Sequence, residues 1–403
     1  MENNKDKHSK FGTWRANLVE LYTRVIKIDK TKDKAVYWNG ENNQYPSEIE
    51  RVIVNSPTAS RASLLMGDYI SGDGLVDPTH DVVVNSRKNY KVSDIASMGG
   101  QNISKQGGVW FHVGYGLNDD LSKIIPRSLD IPDYAKFRKS KEDDDKNEGK
   151  IYYKDYCDTD WFTFWLGKKV KDKWYYPFNN DQNVIKAQIL KDYAEAGGEP
   201  TEDIAEMLPY YRGQVHYLNT TPEYKYALSP FDSVFNDADS EYRISLYINK
   251  QVRTGFLGKT AVLTQGLDDE QAKKVIKDIG NWLGAENSDS VYHLDVEKAD
   301  DLDKVLKIIQ LEAQFDEKLF TETNKRLQST ILGAANSIPE ILVLSSTGAL
   351  FGANSETLRE AERFYSRQTK KYRNLLENTI TFLGFPCKLK PMVEELTDNT
   401  PSV

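Results

Sequence analysis

Residues 253–263 read RTGFLGKTAVL. Gly258-Lys259-Thr260 is the end of a phosphate-binding loop, so the stretch poses a choice between a nucleotide-hydrolysing fold and something else. A phosphate loop needs Gly-x4-Gly-Lys-Thr, and it must leave a strand and open a helix so that the helix N-terminus faces the phosphates. Arg253 occupies the position of the first glycine. The order of elements is also reversed. PFDSVFNDADSEYRISLYINKQVRTGF (230–256) carries helical periodicity from about Asp237 to Arg253 and stops at Gly255, and TAVLTQ (260–265) follows as a strand. A helix running in and a strand running out cannot form the same amide cradle. The stretch reads as a helix-to-strand junction.

Downstream, a helix is well specified over 268–283. Asp268 caps it, Gln271 sits at the reciprocal position, Val275, Ile279, Trp282 and Leu283 share a face, and Gly284 stops it. SVYHLDV (290–296) reads as the next strand. Two long helices follow. One spans about 312–336, with Phe315, Leu319, Leu327 and Ile331 in register; the other spans about 355–383, from Asn354-Ser355-Glu356 to Gly384-Phe385-Pro386. At ~1.5 Å per residue the last would be ~40 Å long. Between them lies IPEILVLSSTGALFGAN (338–354), rich in small residues. The tail after 384 holds three prolines and reads as loose.

Upstream, the first 40 residues are polar apart from Trp14 to Ile28. Pro46 and Ser47 read as a helix start, with Ser47 as cap and Glu48 and Glu50 in the first turn. Pro57 interrupts, and 58–70 continues as a helix carrying Ala62, Leu65, Met66 and Tyr69, ended by Gly72, Asp73 and Gly74. Residues 91–105 read as another helix. GGVWFHVGYGL (107–117) reads as a strand with Val109, Phe111 and Val113 on one face and His112 pointing outward. Aromatic runs at 151–156, 161–167 and 173–178 suit packed antiparallel strands. KEDDDKNEG (141–149) reads as a solvated loop, because it lacks the alternating ligands and turn glycine of a calcium loop.

The 403 residues carry a formal charge of −8, with 28% charged and 39% hydrophobic residues. That length allows two or three domains. No apolar run approaches the ~18 residues of a membrane span. The polar start MENNKDKHSKFG has no signal-peptide core, which points to a cytoplasm or something assembled there. Two distant cysteines, Cys157 and Cys387, exclude a disulfide framework or a zinc site on count. The histidines (His8, His80, His112, His216, His293) are scattered and match no metal or catalytic pattern. No cofactor is expected, and nothing reads as an active site. The acidity argues against a protein that wraps nucleic acid tightly, though not against one that lets DNA slide past.

The order of blocks resembles the portal protein of tailed bacteriophages. The resemblance lies in YPSEIERVIVNSPTASRASLLMGDYISGDGL, YALSPFDSVFNDADSEYRISLYINKQVRTGF, LDDEQAKKVIKDIGNWLGAENSDSVYHLDV, FDEKLFTETNKRLQSTILGAANSIPEILVL and SSTGALFGANSETLREAERFYSRQTKKYRNLLENTI. Together they cover most of 45–383; the order is the signal, since none is a sharp motif.

The resemblance implies an α+β, portal-type fold. Residues 1–236 and the long helix 355–383 would form an α/β wing, 237–256 and 312–336 two stem helices, and 257–311 a small strand–helix–strand clip. Residues 338–354 would be a tunnel loop and 384–403 a short crown or tail. The family is non-enzymatic. It forms rings, usually dodecamers, at one capsid vertex of the virion, assembled in the host cytoplasm. Implied partners are further copies of itself, double-stranded DNA, the major capsid protein, the terminase and head–tail adaptors.

On that reading Ser345, Ser346, Thr347, Gly348 and Asn354 face DNA in the tunnel loop; the other reading is an ordinary inter-helix connection. The loop SSTGALFGAN is uncharged, which suits low-friction passage because each phosphate contact adds attraction. Lys250, Arg253, Lys318, Lys325 and Arg326 are candidate channel-facing stem bases, or else solvated helix faces. Asp268, Asp269 and Glu270 are candidate clip-surface acids, or else carboxylates placed for the helix dipole. The rival readings are a nucleotide- or polymer-hydrolysing enzyme and another ring-forming virion component.

Overall fold

Helix α1 (Tyr45–Asn55) begins two residues before the expected cap. Pro46 lies in its first turn, where a fixed φ and a missing N–H cost nothing, and Gln44 rather than Ser47 holds the cap position. Helix α2 (Pro57–Ser71) follows after one residue. Its cap is Ser56, whose side chain accepts from the Ala59 N–H, and Gly72 ends it at φ 70°. The structure is a computed structural model that describes residues 36–140, 149–154, 173–199, 201, 203–253, 260–265, 273–274, 291–296, 306–310, 317–343 and 355–393. Contacts divide the chain into two units, Met1–Asp239 with Gln328–Val403, and Ser240–Leu327.

In the first unit a short hairpin of β1 (Val83–Asn85) and β2 (Tyr90–Lys91) leads into α3 (Val92–Gln106). Then come β3 (Gly108–Leu117), β4 (Ile124–Asp130), β5 (Phe137–Lys139), β6 (Ile151–Tyr153) and β7 (Lys173–Pro177). Helices α4 (Gln182–Glu195) and α5 (Ile204–Met207) precede β8 (Gln214–Asn219). These strands form one six-stranded sheet in the order β4-β3-β8-β7-β6-β5. The aromatic strands are not all antiparallel: β7 pairs β8 in parallel. The chain crosses through α4 and α5 before returning, and a parallel neighbour requires such a crossover.

Strand β3 is buried on both faces. Val109, Phe111 and Val113 enter the core shared with α1, α2 and α3, as their alternation predicted. The opposite face is no solvent face. Trp110 stacks there on Tyr217 with centroids 4.0 Å apart and on Phe137 at 5.4 Å. His112 lies on this face too, which corrects the outward expectation. Its Nε2 is 2.9 Å from the Arg212 carbonyl oxygen and its ring meets Tyr175 edge-on. Burial pushes its pKa below the ordinary imidazole value.

The second unit receives α6 (Phe235–Arg253), which starts in the first unit. Strands β9 (Thr260–Gln265), β10 (Val291–Val296) and β11 (Leu306–Gln310) form a sheet with β9 in the centre, parallel to β10 and antiparallel to β11. The third strand escaped the sequence reading. Helix α7 (Glu317–Ala334) returns to the first unit, the single turn α8 (Glu340–Val343) follows, and α9 (Ser355–Phe382) is the longest helix. The chain is a mixed α+β protein.

Helix α9 packs against α2 and α3. Tyr365, Thr369, Arg373, Leu376 and Ile380 are buried at three- and four-residue spacing, and Tyr365 meets the Tyr69 ring at 4.9 Å. The tail beyond it is not loose as far as residue 391. Phe385, Cys387 and Leu389 are buried in strict alternation with exposed Pro386, Lys388 and Lys390. The Asp73 and Val76 N–H groups donate to the Lys390 and Lys388 carbonyls, and the Lys390 N–H donates to the Gly74 carbonyl. Backbone pairing with the turn after α2 overrides the prolines, which fall outside these bonds.

Candidate functional site

The sequence-predicted features concentrate on α6, the small sheet, α7 and the segment leading to α9. Helix α6 has Asp237 in its first turn, where a carboxylate favours the dipole. Its middle is exposed on every side. Leu246, Tyr247 and Ile248 are consecutive and 49%, 39% and 36% exposed. Lys250 and Arg253 fall in its last turn.

Strand β9 starts at Thr260, so the expected helix-to-strand order around GKT is present; Gly258 and Lys259 lie outside the described residues. Lys318 and Lys325 lie seven positions apart on α7, near two full turns. Lys325 and Arg326 are exposed. The Lys325 ammonium is 3.9 Å from the Glu322 carboxylate, an exposed i,i+3 pair of small energetic weight. Ser345, Ser346, Thr347, Gly348 and Asn354, and the acids Asp268, Asp269 and Glu270, lie outside the described residues. So do the expected strand at 161–167, the acidic loop over 141–148, and the helix over 268–283 except for two helical residues, Lys273 and Lys274.

A buried polar cluster around Asp192 was not anticipated. Asp192, 2% exposed, accepts from Tyr176 Oη at 2.9 Å, from the Arg212 backbone N–H at 3.0 Å and from Arg212 Nε at 2.9 Å. Arg212 also reaches Glu195 at 2.6 Å, and its guanidinium lies 3.7 Å from the Trp174 ring centroid. Beside it Gln214 accepts from Tyr115 Oη and donates to Gln188, which accepts from Tyr211 Oη. Burial raises the pKa of Tyr115, Tyr176 and Tyr211, so all three stay protonated donors. Each of these groups is used by another. The cluster therefore locks the β7–α4–β8 crossover and offers no free base or nucleophile. Three of its members, Tyr211, Arg212 and Gln214, fall within YYRGQ, but their partners lie about 20 to 100 residues away in sequence, which hides the cluster from any local reading.

Other reactive candidates are equally committed. Cys387 is buried and its thiol is pushed up to about 12 by desolvation and the nearby Glu377. His216 is lowered to about 4, first by burial and then by Lys139. Among the described residues no group of His, Cys, Asp and Glu could hold a metal, and no helix is long and apolar enough to cross a membrane.

No family model and no curated protein matches the chain. Three similar solved structures are all chains of gene transfer agent particles. One is the neck of an empty particle computed with C6 symmetry: 14% identity, TM-score 0.49, covering 94% of this chain and 89% of that one. A second is the virion of a native particle, at 15% identity and TM-score 0.48, covering 90% and 86%. The third is the neck of a native particle computed with C12 symmetry, at 14% identity and TM-score 0.45, covering 90% and 86%. Likeness at this level leaves function to be argued from the chain's own residues.

Proposed function

We propose that the chain is the ring-forming subunit of a portal in a phage-like virion. The ring, a dodecamer in this reading, sits at one capsid vertex. It passes double-stranded DNA inward during packaging and outward on ejection, docking the terminase first and head–tail adaptors later. It has no enzymatic role. The first unit up to α6, with α9, would be the wing, α6 and α7 the stem, the β9–β11 unit the clip, and 338–354 the tunnel loop. Beyond 384 would lie the crown.

The observation that carries the reading is the apolar exposure on α6. Successive residues of a helix point about 100° apart, so Leu246, Tyr247 and Ile248 look in three directions. Apolar surface on several sides of one helix is covered when that helix has protein neighbours on several sides. A closed ring gives every subunit two. The order of elements supports the same reading: a long helix leads into a three-stranded unit, another leads back, and the longest helix packs on the N-terminal α/β unit.

Lys325 and Arg326, both exposed, would make transient phosphate contact, together with Lys250, Arg253 and Lys318. The acids Asp268, Asp269 and Glu270 would meet a basic docking partner at the clip. Native mass measurement and negative-stain imaging of the purified chain test the reading. Rings of defined copy number are expected, and the triple substitution Leu246→Asn, Tyr247→Asn, Ile248→Asn should yield monomers of unchanged secondary structure. A wild-type chain that stays monomeric at micromolar concentration overturns the reading, as does ATP turnover abolished by Lys259→Ala.

A further inference from the structure

A ring made of one kind of chain needs two different faces that fit each other. The first unit carries two exposed surfaces that could form such a pair, one at α3 and one on α9. Gly99 of α3 faces α9: a methyl group added there would stand 2.8 Å from the Leu376 Cδ1. Gln101, two positions after Gly99, lays its amide over Gly67 of α2. Beside it α3, the end of α1 and residues 131–134 enclose an open cleft of about 350 Å³. Met98 and Ile131 supply apolar wall, Glu50 and Asp133 bring carboxylates to the rim, and the cations beside them are Lys105 and Lys136.

The Asp133 carboxylate already accepts from the Ala135 N–H and lies 3.5 Å from the Lys136 ammonium, whereas Glu50 is exposed and has no ion-pair partner among the described residues. The side-chain nitrogen of Gln101 is held by Leu64 and Asp68, and that of Gln106 by Pro46. Their oxygens are left buried without a hydrogen-bond donor.

The outward face of α9 is the complement. Residues 363–374 hold five cations and no carboxylate, in a chain of net charge −8. Arg373 is buried, but Arg367 and Lys371 are exposed. Arg367 lies two positions from both Tyr365 and Thr369, and Lys371 two positions from both Thr369 and Arg373, so both point away from the buried seam.

We propose that the cationic face of α9 on one copy docks into the Glu50 cleft of the next. Arg367 enters with its guanidinium toward Glu50 and Asp133 and its aliphatic stem against Met98 and Ile131. The inference rests on the ring reading and assigns two surfaces to its contact.

The test is a charge exchange in the full chain, read as the protein concentration at which half the subunits are assembled. Glu50 and Arg367 are both exposed, so unchanged circular dichroism and melting verify that the variants fold. Arg367→Glu alone and Glu50→Arg alone should each raise that concentration by about tenfold or more, and the combined variant should return close to wild type. Rings indifferent to either substitution overturn the pairing, as do single losses without recovery in the combined variant. If Arg367→Glu leaves assembly intact but abolishes binding of a duplex DNA oligonucleotide, the α9 face belongs to nucleic acid and the pairing fails. If no variant assembles, wild type included, the ring reading itself falls, a result distinct from rings that ignore the exchange.

Discussion

Three helical glycines of the first unit should answer the same substitution with different signs. Helices α2 and α3 approach so closely that a methyl group at Gly100 would stand 2.6 Å from the Gly67 carbonyl oxygen and 3.1 Å from the Ser71 nitrogen. Both obstacles are backbone atoms of a hydrogen-bonded helix, so neither can swing aside. Alanine gains about 1 kcal/mol over glycine in a helix. Overpacking against immovable backbone costs up to about 3 kcal/mol. Gly100→Ala should therefore destabilise by about 2 kcal/mol.

At Gly67 the added methyl first meets the Gln101 amide, at 2.5 Å. That side chain can rotate away, at the cost of its bonds to Leu64 and Asp68. The bond to the Leu64 carbonyl contributes about 1 kcal/mol and the one to the Asp68 carboxylate about 1.5 kcal/mol, against a helix gain of about 1 kcal/mol, so Gly67→Ala should destabilise by about 1 to 2 kcal/mol. Gly333 near the end of α7 has nothing within 4 Å, so Gly333→Ala should stabilise by a few tenths to about 1 kcal/mol.

Differential scanning calorimetry of the full chain, at one protein concentration, reads all three. For a unit of this size about 1 kcal/mol moves the transition by about 2 °C, so Gly100→Ala should melt about 4 °C lower. A Gly100→Ala protein that melts at or above wild type would refute the close-packed α2–α3 seam. A Gly333→Ala protein that melts several degrees lower would refute the open surroundings of that position.

Acid should destabilise the first unit before its carboxylates titrate. The folded pKa of His216 is lowered to about 4 from 6.5, so between those values the unfolded state binds the extra proton and stability falls as pH drops. The loss is at most about 3 kcal/mol and His112, shifted the same way, adds to it; in urea melts from pH 7 to 4.5, His216→Gln should flatten the profile, and an unchanged slope would count against it. Asp192→Ala strands Arg212 and the Tyr176 hydroxyl and should cost about 3 kcal/mol, checked by the urea midpoint. Cys387, with its thiol raised to about 12, should resist a thiol reagent in the native chain and react at once in denaturant; rapid native labelling at that residue would show the tail unpaired from the turn after α2.

Local chemistry made much of the chain readable in advance. Gly72 reads as the end of α2, and the helix-then-strand order around GKT argues against a phosphate loop; both follow from backbone rules that need no partner, whereas Pro57, which reads as a break, is the first residue of α2 under the Ser56 cap. The three- and four-residue spacing within RFYSRQTKKYRNLLENTITFL likewise marks α9, because a helix shows its buried face in its own period. What escaped was set by distant partners. Strand β11, LKIIQ, is five residues with no turn signal of its own and becomes a strand by pairing β9. His112 was assigned to solvent because alternation identifies two faces of a strand but not what covers the second; here the Trp110–Tyr217–Phe137 layer does. FPCKLK beyond α9 alternates apolar and charged residues after its proline, but only the backbone groups left free after α2 turn that pattern into structure. Periodicity, caps and breakers are properties of neighbours in sequence and were determined there. Which face is buried, which edge is paired and which glycine must stay bare depend on atoms brought together across the chain, and only the tertiary structure decided them.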